Sequence, residues 1–152
     1  STPLLDALGT TIAKLDDDWK TEQPERCIVV IVTDGQENSS REYTKAKIKE
    51  MVESRQGSGK WAFIYLGANV DAFAESSSLG IAIANSAGYK NTYSGSGSMY
   101  AAAAQGVVQM RATGATVAAN LGRDIPEDDN DASAPKPGWN APKASGIWTP
   151  PA

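Results

Sequence analysis

The 152-residue sequence predicts an α/β protein, a Rossmann-like open parallel sheet with flanking helices. Three observations point there. Ile28 to Val32 is an unbroken, mostly β-branched apolar run that stops at Thr33-Asp34-Gly35, as expected of an internal parallel strand buried on both faces. Trp61 to Leu66 repeats the pattern and ends on Gly67. Between the two lies a segment of helical periodicity, which makes strand, helix and strand a βαβ unit. Such crossovers are right-handed with parallel strands, so Asp34 and Asn69 are both delivered to the C-terminal rim of the sheet, where ligands bind in open α/β folds.

The first helix starts on Thr2-Pro3, with Thr2 as cap and Pro3 at the first helical position, where a missing N–H costs nothing. Leu5, Leu8, Ile12 and Leu15 form its apolar stripe. This helix runs antiparallel to the strand it precedes, so Thr2 and Asp34 are expected to be neighbours. After the first strand, Ser39-Ser40-Arg41-Glu42 has the form of a capping box and predicts a helix over Ser40 to Arg55. Thr44, Ile48, Met51 and Val52 are its buried stripe, and Arg41, Lys45, Lys47 and Lys49 its solvated side.

A third strand is expected near Ile81 to Ala84 or Thr92 to Tyr93. Ser94 to Ser98 reads as a flexible connector or as a turn into the cap of the last helix. Met99, Ala103, Val107, Met110, Gly114, Val117 and Leu121 pattern that helix, with Gly122 as its stop. The composition then changes. Acidic residues gather between Asp124 and Asp131, and six prolines lie between Pro126 and Pro151, a mixture unable to bury enough surface to fold alone. The expected organisation is an α/β unit over residues 1–122 and an acidic, Pro-rich extended tail over 123–152. Trp139 and Trp148 are the candidate anchors by which the tail docks on a partner or on its own domain.

Ser1 to Leu8, STPLLDAL, followed by Ile28 to Gly35, IVVIVTDG, resembles the second half of a von Willebrand factor type A domain. Gly67-Ala68-Asn69 and Leu79-Gly80-Ile81 continue the likeness, which covers roughly Ser1 to Leu121. The resemblance implies a metal-ion-dependent adhesion site in which Thr2 matches the family's loop threonine and Asp34 its strand-end aspartate. The family's remaining ligands come from a D-x-S-x-S motif, which this chain lacks together with the strands that accompany it. The chain is therefore expected to be the C-terminal half of a longer domain, with Mg²⁺ held only if the missing N-terminal half is supplied. The resemblance also places the Asp34 strand centrally in the complete sheet. One side of Ile28 to Val32 should then be covered by another chain, by upstream residues or by segments of this chain.

Composition excludes several chemistries. There is no histidine, so Ser-His-Asp and Cys-His nucleophile systems and histidine-containing zinc sites are ruled out. Ser54 to Trp61, SRQGSGKW, fails as a phosphate loop: Ser54 stands where Gly is needed, Trp61 replaces the magnesium-binding hydroxyl, and a helix precedes the segment. Asn38-Ser39-Ser40 fits a glycosylation sequon but reads better as turn and cap. Cys27 is the single cysteine, so no internal disulfide forms, and its strand setting suits a small core residue. The net charge is −4 with scattered basic residues, which argues against nucleic acid, and no apolar run approaches the roughly 18 residues of a membrane span.

The favoured expectation is a non-enzymatic binding module in which a rim cation meets an acidic group of a protein partner, with Gln36, Glu37, Asn38 and Asn69 lining the contact. The alternative is a structural or assembly component of a phage or bacterial particle with no metal function. Either reading places the chain in the cytoplasm or on a particle. Asp34-Gly35 also fits a plain turn, in which the carboxylate bonds only its local backbone.

Overall fold

A computed structural model describes residues 3–35, 39–68 and 71–114. The order is α1 (Leu4–Glu22), β1 (Cys27–Thr33), α2 (Lys45–Gly57), β2 (Trp61–Ala68), α3 (Ala72–Ser78), a 3₁₀ turn (Ile83–Asn85), β3 (Ser86–Tyr89) and α4 (Tyr93–Thr113). The three strands form one parallel sheet in the order β1-β2-β3. Cys27 opposes Trp61 and Thr33 opposes Gly67, while Tyr65 opposes Ser86 and Ala68 opposes Tyr89. The mixed α/β class, the parallel open sheet and the flanking helices thus match expectation.

The layers are unequal. On one face Val29, Ile31, Phe63 and Tyr65 pack with Leu5, Leu8 and Ile12 of α1, Ile48 and Val52 of α2, and Ala72, Leu79 and Ile81 around α3. The other face has a smaller core of Ile64, Leu66 and Ala87 under Met99 and Ala102 of α4, joined by Ile28, Tyr89, Ala103 and Val107. Three helices cover the first face and one covers the second.

This asymmetry corrects the reading of β1 as buried on both faces. Val29, Ile31 and Thr33 are buried, but Val30 is 37% and Val32 44% exposed. An apolar run reports β-branching and hydrophobicity, not the presence of a covering layer. β2, in the middle of the sheet, is buried on both faces from Ala62 to Ala68, and β3 is buried from Ser86 to Gly88.

Three boundaries also differ from expectation. α2 begins at Lys45, not Ser40, because the Thr44 hydroxyl accepts from the Lys47 N–H and caps the helix. Ser40 is spent elsewhere: its hydroxyl accepts from the Asp6 N–H in the first turn of α1. β3 forms at Ser86–Tyr89, between the two stretches expected to hold it, since 83–85 turns as 3₁₀ and Thr92 caps α4 through the Gly95 N–H. Ser94 to Ser98 is accordingly the first part of α4 instead of a connector. That helix is capped by Gly114, which sits in the left-handed conformation at φ 75° and sends its N–H to the Met110 carbonyl. Val117, Leu121, the expected stop at Gly122, and the tail with Trp139 and Trp148 lie outside the described residues.

Candidate functional site: the rim beyond β1

Parallel pairing brings the C-terminal ends of β1, β2 and β3 to one rim. Asp34 is the first residue past β1 and is exposed there. Its position is fixed from behind by Thr33, whose buried side-chain hydroxyl donates to the Gly35 carbonyl at 2.8 Å and accepts from the Gly35 N–H at 3.3 Å. Tyr89, at the end of β3, lies across the rim. Burial first, then the Asp34 carboxylate and Tyr100 of α4, push its hydroxyl above the usual tyrosine range.

Ahead of α2, residues 41–43 are pinned to α1 by one side chain. Asp6 accepts from three consecutive backbone N–H groups: Arg41 at 2.8 Å on one carboxylate oxygen, Glu42 and Tyr43 at 2.9 Å on the other. In return the Asp6 N–H donates to Ser40 Oγ at 3.1 Å. The exchange resembles a capping box, but its halves come from segments 34 residues apart in sequence. Gly9, one turn further along α1, leaves room for the Tyr43 ring, which a Cβ there would meet at 2.5 Å. The first turn of α1 therefore sits at the loop that follows β1, as the antiparallel helix-strand pair predicts.

Of the residues expected at the site, Asp34 alone is described. Thr2, Gln36, Glu37, Asn38 and Asn69 lie outside the described residues. Among the described residues no group of three His, Cys, Asp or Glu side chains comes together to hold a metal. One exposed carboxylate falls far short of the roughly six oxygen ligands that Mg²⁺ prefers, so the described residues do not by themselves fit the implied ion. Sequence reasoning missed Asp6 and Tyr89. An aspartate in the first turn of a helix is ordinarily read as a macrodipole or capping residue, and nothing local reveals that it reaches a loop far along the chain.

At the opposite end of the sheet Trp19 stacks on Trp61 with ring centroids 5.5 Å apart, and Trp61 on Phe63 at 6.0 Å. Arg55 lies over Trp61 at 5.7 Å and donates to Asp16 through Nε and Nη2. An open cleft of about 610 Å³ beside this stack is lined by Trp19, Lys20, Gln23, Pro24, Glu25 and Lys60. Its breadth and exposed charges suit solvent, and the aromatic stack closes the bottom of the core.

Among the described residues no helix is long and apolar enough to cross a membrane. Compared with protein-family models, curated proteins and solved structures, the chain shows no match.

Proposed function

We propose that the chain is a protein-interaction module, the C-terminal half of an α/β domain resembling the von Willebrand factor type A fold, with its contact surface on the rim around Asp34. The observation that carries this reading is the placement of Asp34: exposed, just past the C-terminal end of a parallel strand. Open α/β sheets bind ligands at that rim. A carboxylate set at the end of a paired strand starts from a backbone that is already ordered, which lowers the entropy lost on meeting a partner. Gln36, Glu37, Asn38 and Asn69 would extend the polar contact. Mg²⁺ would join Thr2 and Asp34 only after a complementing half brings further oxygen ligands, and that half would take the free edge of β1.

A second reading, a structural component of a phage or bacterial particle, draws on a different observation. Among the described residues β1 stands at the sheet edge with Val30 and Val32 exposed, a surface suited to packing against neighbouring subunits. Photo-crosslinking separates the two. With benzoylphenylalanine at Glu37 and, as control, at Lys47 on the solvated side of α2, the interaction reading expects heterologous adducts from position 37 alone, reduced by Asp34→Ala. Adducts only between copies of this chain would favour the particle reading. Equal labelling from both positions would refute a rim contact.

A further inference from the structure

We infer that the rim takes an arginine side chain of a protein partner, its guanidinium paired with the Asp34 carboxylate and lying against the rings of Tyr89 and Tyr100. The inference rests on the reading of the rim as the contact surface and adds the chemistry that the contact recognises.

The register of the sheet brings the groups together. Thr33 of β1 opposes Gly67 of β2, and the next residue of β2, Ala68, opposes Tyr89 of β3. Asp34, one step past Thr33, comes level with Ala68 and Tyr89 in one row across the rim. Side chains alternate between the two faces along a strand. Tyr89 packs with the core of Ile64, Leu66, Ala87, Met99 and Ala102 on the α4 face, and Val32 opposes Leu66 on that same face. Asp34, two residues beyond Val32, returns to it, so the carboxylate and the Tyr89 ring share a face with only the Ala68 methyl between their strands. Tyr100 belongs to the same cluster. It follows the buried Met99 on α4 and is itself 61% exposed. The Tyr89 hydroxyl is pushed up by burial and then by the Asp34 carboxylate and Tyr100, so both groups act on it at close range.

The chemistry of the cluster selects a cation. Asp34 is exposed and enters none of the ion pairs among the described residues. A carboxylate and the negative faces of two aromatic rings attract the same positive charge. An anionic group would be repelled, and an apolar one would strip water from the carboxylate without replacing its hydrogen bonds. Between the two basic side chains the arrangement favours arginine, whose planar fork pairs with a carboxylate and stacks on a ring at once, whereas an ammonium is a compact, strongly hydrated point charge. Val32, 44% exposed beside Asp34, offers an apolar contact to the aliphatic stem. The chain already uses this combination internally. Arg55 lies over Trp61 at 5.7 Å while donating to Asp16 through Nε and Nη2. At the rim β1, β3 and α4 supply the carboxylate and the rings, and the partner supplies the guanidinium.

The test is an NMR titration of the full chain with the tripeptide acetyl-glycyl-arginyl-glycinamide, and with its lysyl counterpart. The expected result is saturable movement of the Tyr89 and Tyr100 ring signals and of the Asp34 amide, with the lysyl peptide bound more weakly. Asp34→Asn should weaken arginine binding about fivefold and Tyr100→Ala about threefold. Tyr100→Phe, which keeps the ring, should preserve it, and Glu50→Gln on the solvated side of α2 should leave it unchanged. Asp34 and Tyr100 are exposed, so these variants keep the fold. No saturable movement at the two tyrosines overturns the inference, as does equal binding by Asp34→Asn or by the lysyl peptide. Crosslinks from position 37 that depend on Asp34, without arginine binding, would overturn this inference and leave the rim contact standing. Arginine binding without such crosslinks would support the guanidinium site and overturn the protein-contact reading instead.

Discussion

Asp6→Ala isolates the link that sets the rim loop. The substitution deletes a carboxylate that accepts from the N–H groups of Arg41, Glu42 and Tyr43. Hydrogen bonds to a charged acceptor contribute about 1.5–3 kcal/mol each, but two of these lie at exposed residues where water replaces the lost acceptor. The Tyr43 N–H is part-buried and regains least. One nearly full contribution and two heavily discounted ones give about 2–4 kcal/mol. With an m-value of roughly 2 kcal/mol per molar urea, the unfolding midpoint should fall by about 1–2 M. Ser40→Ala should cost about 1 kcal/mol, because it removes a single acceptor from the first turn of α1. The double variant should cost less than the sum, since each change loosens the docked loop on which the other contact depends. An Asp6→Ala cost below about 0.5 kcal/mol would refute the claim that this carboxylate holds the loop.

Gly9→Ala should destabilise despite a helix-propensity gain of about 1 kcal/mol, because the new Cβ would displace the Tyr43 ring and pull its N–H off Asp6; a higher melting temperature would contradict this. Burial, and secondarily Glu75, push the Tyr65 hydroxyl up to about 12, so its neutral form is the one the fold favours. The unfolded state sheds that proton from about pH 10 while the folded state keeps it, so stability should drop by roughly 2–3 kcal/mol between pH 10 and 12. Tyr65→Phe should flatten this loss, checked by urea titrations across the range. Phe63→Ala, at a fully buried site, should cost about 3–5 kcal/mol in the same assay. Calorimetric titration with Mg²⁺ should show no tight binding to the isolated chain, because Thr2 and Asp34 replace too little of the hydration shell; sub-micromolar affinity would overturn that argument.

What the sequence disclosed followed from periodicity and local stereochemistry. The stripe of α1, the placement of β2 and the βαβ order came from patterns within a single element. What stayed hidden depended on partners far along the chain. Ser39 to Glu42 carries a valid capping box, yet Ser40 caps the first turn of α1 and Thr44 starts α2, because a tertiary exchange with Asp6 satisfies more backbone donors than the local box would. The four-residue β3 was missed for a related reason. Ser86-Ala87-Gly88-Tyr89 has little strand propensity, and its position is set by pairing with Tyr65 to Ala68 on a strand already buried.

β1 carries the sharpest consequence for the site. An edge strand with an open face is the least protected element of a sheet, yet β1 is the strand that delivers Asp34 to the rim. Whatever covers Val30 and Val32 therefore also steadies the end of β1 two residues before Asp34. Among the described residues β1 pairs only with β2, and Val30 and Val32 stand exposed on its second face, so edge and face offer different kinds of contact. The hold on the strand end is measurable. If the Asp6 link to residues 41–43 steadies the end of β1, Asp6→Ala should speed amide exchange at Val32 and Thr33 while leaving Ile64 and Leu66 of β2 protected. Equal exchange at Val32 in the two proteins would show that the end of β1 is held independently of α1.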